Sequence, residues 1–213
     1  MRQMFDEQLK LLRKEMLKMS ADCEQAIAKA VKSFTDNNNE LADNVIASAE
    51  AIDRKEREIE SQCIKLLLTQ QPVATDLRTV SAALKMVTDM ERIGNQAADI
   101  AEIVKTGDIP NTIDKHTIHD MAISVIKMIS ESVESFATGN TDKAKEIIEY
   151  DDVIDQYFET VKSELIEDFK KNADFGKYGI DLLMIAKYLE RSGDHAVNIA
   201  KWVIFASSGI IKA

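Results

Sequence analysis

The sequence predicts an all-α protein in which one antiparallel three-helix bundle occurs twice, giving six long helices. The first observation is that the 213 residues include only 7 Gly and 2 Pro. A chain of many strands and tight turns needs more of both residues. The second and third observations are a seven-residue spacing of apolar side chains and an internal repeat. Short loops between long helices make neighbouring helices antiparallel.

Breaks in the helical pattern define the six elements. Pro72 and Pro110 each end a helix, because the residue before proline disfavours the α conformation. Asn-rich and Gly-containing segments at 35–40, 138–142 and 172–179 supply the other turns or caps. The predicted helices span about 3–35, 39–70, 74–105, 112–138, 141–172 and 175–207.

Two helices carry apolar residues at every seventh position, which is typical of coiled-coil-like packing between neighbours. In the second helix these residues are Val45, Ile52, Ile59 and Leu66. In the fifth helix they are Ile147, Ile154 and Val161.

The halves of the chain repeat one another. A shift of 102 residues superimposes the two apolar series above, and a shift of 99 aligns ERIGNQAADIA (91–101) with ERSGDHAVNIA (190–200), where six of eleven residues are identical. Shared helical periodicity explains matching Ile and Ala, but not a matched Glu-Arg-x-Gly. We therefore expect a duplication with repeats at 1–108 and 109–213.

Two glycines occur in mid-helix, at matched positions of the repeats. Gly94 and Gly193 each cost about 1 kcal/mol relative to alanine in a helix. Their small neighbours, such as Ala97 and Ala196, predict that another helix packs closely against each.

Charge and terminal sequence restrict the function. The formal net charge is -10, which disfavours nucleic-acid binding. The charged N-terminus lacks the pattern of a signal peptide, and the longest apolar candidate, 202–211, is too short to span a bilayer. Cys23 and Cys63 lack metal-site or redox-motif spacing and are expected to be reduced packing residues. A cytoplasmic protein is expected, without direct membrane insertion.

Acidic side chains in the second repeat are candidate metal ligands. Asp151 lies four residues after Ile147 and seven before Phe158, at a seam position where an apolar residue is expected, and Asp155 lies one turn later. On the sixth helix Glu190, Asp194 and Asn198 follow one another at four-residue intervals. Like charges at this spacing repel, and a hard cation bound by carboxylate and amide oxygens would compensate.

The first repeat offers a weaker set, namely Asp53 with Glu91, Asn95 and Asp99. Ala49 occupies the position that matches Asp151. An alternative for both sets is a solvated acidic face, balanced in the second repeat by the basic residues Lys187, Arg191 and Lys201.

The remaining motifs give no indication of an enzyme. No Glu-x-x-His pair occurs, although ferritin-like di-iron sites use one, and His195 points to a different face from Asp194. A phosphate-binding glycine loop and a nucleophile elbow are also missing from the sequence. No catalytic or organic-cofactor residue is predicted, although a carboxylate-bridged dimetal enzyme is kept as an alternative.

Two long motifs resemble the PhoU family. The first runs from QQPVATDLR to ALKMVTDMERIGNQAADIAE within residues 63–102, and the second is AKYLERSGDHAVNIAKWVIF in 186–205. The resemblance extends over essentially the whole chain. It implies two three-helix bundles, usually in a homodimer. It also implies a non-enzymatic negative regulator of phosphate uptake, which couples the ATPase of the phosphate ABC transporter to a sensor histidine kinase.

The resemblance also bears on metal binding and location. Family members carry an E(D)xxxD motif in each repeat, associated with metal ions. Asp151–Asp155 and Glu190–Asp194 match it, whereas Ala49 and Asn95 depart from it. The implied ion is iron, zinc, manganese or magnesium, and partners would recruit the protein to the inner face of the membrane. Alternatives are a purely structural adaptor without metal and a PhoU-like paralogue that regulates another transporter.

Overall fold

Six long helices account for most of the chain in a computed structural model, which describes residues 2–70, 73–107, 109–110 and 115–210. Within these residues no strand occurs, and the prediction of an all-α fold is confirmed. A single 3₁₀ turn, Ala173–Phe175, precedes the last helix. The helices are α1 (Arg2–Asp36), α2 (Asn39–Gln70), α3 (Ala74–Thr106), α4 (His116–Thr138), α5 (Thr141–Lys171) and α6 (Gly176–Ser208).

Asparagines form the turn between the first two helices of each repeat. The Asn38 side chain accepts a hydrogen bond from the backbone N–H of Leu41 at 2.9 Å. The Asn140 side chain caps α5 in the same way, accepting from the N–H groups of the second and third residues after it. The preceding residues, Asn37 (φ 49°) and Gly139 (φ 71°), are left-handed, which reverses the chain. Matched turns therefore make the first two helices of each repeat antiparallel.

The fourth helix begins later than predicted. Lys115 has non-helical dihedrals (φ -117°, ψ 6°), and α4 starts at His116 instead of near residue 112. Its ammonium donates hydrogen bonds to the Phe34 carbonyl at 2.6 Å and to Asn37 Oδ1 at 3.0 Å. Lys115 therefore satisfies acceptors at the end of α1 instead of extending α4. Residues 111–114, and the predicted break at Pro72, lie outside the described residues.

The third helix of each repeat lies at the centre of the molecule. α3 packs against α1, α2 and α6, while α6 packs against α3, α4 and α5. α1 also contacts α4, so two pairs of helices join the repeats. α3 and α6 are antiparallel, since residue 89 contacts residue 195 whereas residue 99 lies near residue 191. The exact division at 108/109 stays a prediction.

The seven-residue series form the buried seams of the outer helices. All seven predicted side chains are at most 3% exposed, which confirms the seam; they are Val45, Ile52, Ile59, Leu66, Ile147, Ile154 and Val161. They belong to one continuous apolar core that extends through both repeats. Across the described residues, no helix offers a stretch both long and apolar enough to traverse a bilayer.

Each mid-helix glycine faces the equivalent isoleucine of the neighbouring outer helix. A Cβ added at Gly94 would lie 2.9 Å from Ile52 Cδ1, and one at Gly193 would lie 3.4 Å from Ile154 Cγ2. Both glycines therefore permit close helix packing, as predicted from the small residues around them. The approach is tighter in the first repeat.

The difference between these two contacts predicts opposite responses to alanine. Gly94→Ala should lower the free energy of unfolding by about 1 kcal/mol, because overpacking against the stiff Ile52 outweighs the gain in helix propensity. Gly193→Ala meets only an ordinary van der Waals contact and should be neutral or stabilising by up to about 1 kcal/mol. Urea unfolding of both variants measures the difference.

Shortening the opposing side chain provides the control. Ile52→Val removes Cδ1 and should recover part of the loss when combined with Gly94→Ala, so the two changes would be non-additive. Additive effects, or equal destabilisation by the two alanines, would show that Ile52 does not limit the approach of α3.

Candidate acidic sites

The four carboxylates predicted for the second repeat lie on α5 and α6, near enough for their charges to act on one another. Asp151 and Asp155 lie on α5, and Glu190 and Asp194 lie one turn apart on α6. The charges of Asp155, Glu190 and Asp194 all act on Asp151. Gly193 allows this proximity, since a Cβ there would lie 3.7 Å from Asp151 Oδ1. The helix-five/helix-six interface therefore brings this part of the predicted site together.

Burial and mutual repulsion make two of these carboxyl groups weak acids. Burial raises the pKa of Asp151 from 3.8 to about 6, and the charges of Asp194, Asp155 and Glu190 add to the increase. Burial and then Glu190 also raise the pKa of Asp194, against an opposing effect of Lys187. Both groups therefore hold a proton more readily than a solvated aspartate does.

One lysine supplies a positive charge at the edge of this group. Lys187 Nζ lies 2.5 Å from Glu190 Oε2, and it also lies 5.4 Å from the centre of the Phe158 ring. This is the balancing role that the solvated-face alternative assigns to Lys187. Arg191, the next basic residue along α6, instead acts on Asp99 of α3.

Asn198 lies apart from the four carboxylates, on the side of α6 that faces α3. Its amide is 3.4 Å from Asp89 Oδ1, and His195 Nδ1 lies 2.9 Å from the same oxygen. Each four-residue step rotates about 40° around a helix, so eight residues turn the side chain by about 80°. Glu190 and Asp194 consequently face α5, whereas Asn198 faces α3.

Asp99 has the matching position in the first repeat. Burial raises its pKa, the charge of Glu102 adds to the increase, and Arg191 of α6 opposes it. Asp99 also contributes to the raised pKa of Tyr188, after burial. It therefore faces the α3–α6 seam, as Asn198 does.

The other predicted acids of the first repeat lie between α2 and α3. Asp53 Oδ1 is buried without a hydrogen-bond partner. The Asn95 amide donates to Glu91 Oε1 at 2.7 Å, so one of the predicted ligands is engaged by another. Ala49 contributes no charge here, which makes this set different from its counterpart.

The sequence reasoning did not include Glu56 in the first site. Burial raises its pKa, and the charges of Glu60, Glu91 and Asp53 add to this effect. Glu56 follows Asp53 by one turn, so its spacing did indicate a shared helix face. Glu56 does not stand out when the repeats are aligned, because the matching residue of the second repeat is Phe158.

These side chains, as placed, do not form a complete metal site. Among the described residues, no group of three or more His, Cys, Asp and Glu is arranged to hold one ion. The unpartnered oxygen of Asp53 and the repulsion around Asp151 are compatible with a cation. The ion pair between Lys187 and Glu190 is not, because it already engages one of the four carboxylates. Metal binding at both repeats stays a prediction.

The raised pKa of Asp151 predicts a pH-dependent penalty in metal-free protein. Above its folded pKa of about 6, the charged carboxylate destabilises the folded chain, whereas below 3.8 it is protonated in both states. Asp151→Asn should therefore raise the free energy of unfolding at pH 7.5. We expect a gain of about 1 kcal/mol after solvent screening of this half-buried group, and a smaller one near pH 4.

Unfolding in the presence of a chelator at both pH values tests this expectation. Glu149→Gln, at an exposed position of the same helix, serves as the control and should change stability little at either pH. An Asp151→Asn gain that is independent of pH would contradict the assigned cause.

The chain is similar to known proteins over both of its repeats. The sequence model of the PhoU domain matches twice, at residues 16–104 and 118–203. The chain is 32% identical over 211 residues to a protein of Clostridium acetobutylicum named phosphate-specific transport system accessory protein PhoU homolog. This similarity covers 98% of the chain and 96% of that protein.

Solved structures show the same architecture. The crystal structure of PhoU from Pseudomonas aeruginosa has a TM-score of 0.88 at 30% identity, over 97% of this chain and 100% of that one. A second, the phosphate transport system regulatory protein PhoU from Streptococcus pneumoniae, has a TM-score of 0.91 at 27% identity, with 98% and 99% covered. The two domain matches and this full-length similarity show that the chain belongs to the PhoU family.

Proposed function

We propose that this protein is an accessory regulator of phosphate transport that represses the phosphate-starvation response when phosphate is plentiful. The observation that carries the proposal is similarity over nearly the whole chain to proteins named as accessory or regulatory components of phosphate transport. Both repeats take part in that similarity, and so the complete two-repeat molecule is the functional unit.

The proposed mode of action is binding without catalysis. The protein would act as an adaptor between the ATPase subunit of the phosphate ABC transporter and a sensor histidine kinase, and it would shift the kinase toward its inactive state. Six long helices present extended polar faces for such contacts. We also propose a homodimer in the cytoplasm, recruited by these partners to the inner face of the membrane.

Metal binding is a further part of the proposal. Asp151, Asp155, Glu190 and Asp194 would hold a hard cation, once Lys187 leaves Glu190 and the carboxylates draw together. Oxygen ligands favour magnesium, manganese or ferric iron over softer ions. Asp53, Glu91 and the neighbouring Glu56 would form the weaker site of the first repeat.

Deletion of the gene tests the regulatory role. In cells grown with abundant phosphate, its loss should de-repress phosphate-starvation genes, because the kinase would no longer be held inactive. A transcriptional reporter measures the effect, and complementation by the wild-type gene should restore repression. Tagged protein should copurify from the native cells with the transporter ATPase and the kinase.

An unchanged reporter in the deletion strain would contradict this role. If uptake of a different solute changed instead, the protein would be a paralogue that serves another transporter. If the protein copurified with the transporter ATPase and the kinase but the reporter did not change, the protein would bind these partners without repressing the response.

The metal proposal predicts a graded series of variants. Asp151→Asn/Asp155→Asn should reduce manganese or iron uptake by at least about tenfold, since it removes two anionic ligands. Ala49→Asp should increase binding at the first repeat, where it restores the acid that matches Asp151. Calorimetric titration and elemental analysis of the folded proteins measure both effects, with Glu149→Gln as the control. Equal metal content in all variants would show that the acids form only a solvated face.

A further inference from the structure

The two repeats differ in how far their first helix extends. In the first repeat, α1 has 35 residues and α2 has 32, so the two helices run side by side over almost their full length. In the second repeat, α4 has 23 residues whereas α5 has 31. The end of α5 therefore projects past the start of α4 by eight residues, or about 12 Å.

In the first repeat the start of α1 fills the corresponding space. Phe5 is 3% exposed and Leu12 is fully buried, and both belong to the apolar core. Because α1 and α2 are antiparallel, these residues cover the end of α2, where Leu66 is also buried. The seam of α2 thus stays buried as far as Leu66.

In the second repeat the same place is an open groove of about 480 Å³. We call it the end groove. Its floor is apolar and consists of Ile118, Val161, Leu165, Phe175 and Leu182. Asp168, which matches Leu66 under the 102-residue shift, lies at the rim with its side chain 43% exposed. The groove therefore has the shape left by a missing helical extension, with apolar residues below and polar residues along the edge.

The rim favours a cationic occupant. The lining includes three carboxylates, on Glu164, Glu167 and Asp168, and one ammonium, on Lys171. All three carboxylates have partners: Thr117 donates to Glu164 at 2.9 Å, Lys170 pairs with Glu167 at 2.6 Å and Lys171 pairs with Asp168 at 3.1 Å. These three carboxylates and the two lysines paired with them leave an excess of one negative charge at the rim. The segment that fills the matching space in the first repeat, residues 2–14, has a net charge of +2, since it contains four basic residues and two acidic ones.

From this comparison we infer that the end groove binds an amphipathic helix of a partner protein, with apolar residues spaced as Phe5, Leu9 and Leu12 are and with basic flanks. The internal repeat indicates the occupant, because the same fold closes the equivalent groove with such a helix. The inference goes beyond the proposed regulatory role, since it identifies a surface and the class of segment that it accepts.

The probe is a synthetic peptide of residues 2–14, added to the full-length protein. A hydrocarbon staple between positions 3 and 7, which lie on the exposed face, keeps the peptide helical; a free 13-residue helix is marginal in water. A matched peptide carries Phe5→Ser, Leu9→Ser and Leu12→Ser. Isothermal titration should show that the serine peptide binds at least about tenfold more weakly, because it cannot bury apolar surface.

Charge reversal locates the binding. Glu164→Lys/Asp168→Lys should weaken binding of the apolar peptide by about fivefold to tenfold, and salt should weaken binding to the wild type. Glu146→Lys/Glu149→Lys makes the same change of charge at exposed positions near the other end of α5, and it should retain wild-type affinity. Glu146, Glu149 and Glu164 are exposed and the Asp168 side chain is partly exposed, so unfolding midpoints should confirm that both variants fold.

Backbone NMR distinguishes the end groove from other surfaces. Shifts should concentrate at residues 117–118, 161–171 and 175. Shifts confined to the smaller groove between α1 and α4, around Val31 and Ile123, would overturn the inference. Equal affinity for wild-type protein and the Glu164→Lys/Asp168→Lys variant would do the same. A changed oligomeric state of that variant without peptide would mean that a second copy of the chain occupies the groove.

Discussion

The close antiparallel packing of α3 on α6 is the contact on which the rest of the molecule depends. Each of these helices is surrounded by three others, so its side chains must be small or apolar around most of its circumference. The buried set on α3 includes Ala82, Ala83, Ala97 and Ala101. Gly94 has no side chain at all, and there Ile52 of α2 packs directly against the backbone of α3. The remaining helices complete a core that this central pair begins.

This packing also positions the acidic groups. The turn of α6 that carries Gly193 carries Asp194 as well, so the close approach of α5 brings Asp151 into the same interface. A side chain larger than alanine at Gly193 would meet Ile154 and Asp151. The repulsion between these carboxylates therefore accompanies the close packing of α5 on α6. The first repeat has the tighter helix contact but lacks an acid at position 49.

Much of the fold follows from periodicity that is visible in the sequence. The heptad residues of α2 and α5, the matched glycines and most helix ends were predictable, because burial and turn chemistry are local patterns. The start of α4 was not, since Lys115 is held by carbonyls at the end of α1, a contact that the sequence does not display. The acidic sites were predictable in part. Asp151 was conspicuous at a seam position, whereas Asp89 with His195, and Glu56 with Glu91, depend on which neighbour each face meets.

The duplication has a consequence for how such a molecule can evolve. In a dimer of identical chains every substitution appears twice, so both sites change together and respond alike. Here both halves lie in one chain, and each is encoded by its own part of the gene. The two halves are therefore always present in a one-to-one ratio, although their sequences can differ. Phe158 stands in one half at the position where Glu56 stands in the other. The fusion therefore permits the two halves to take on different roles within one molecule.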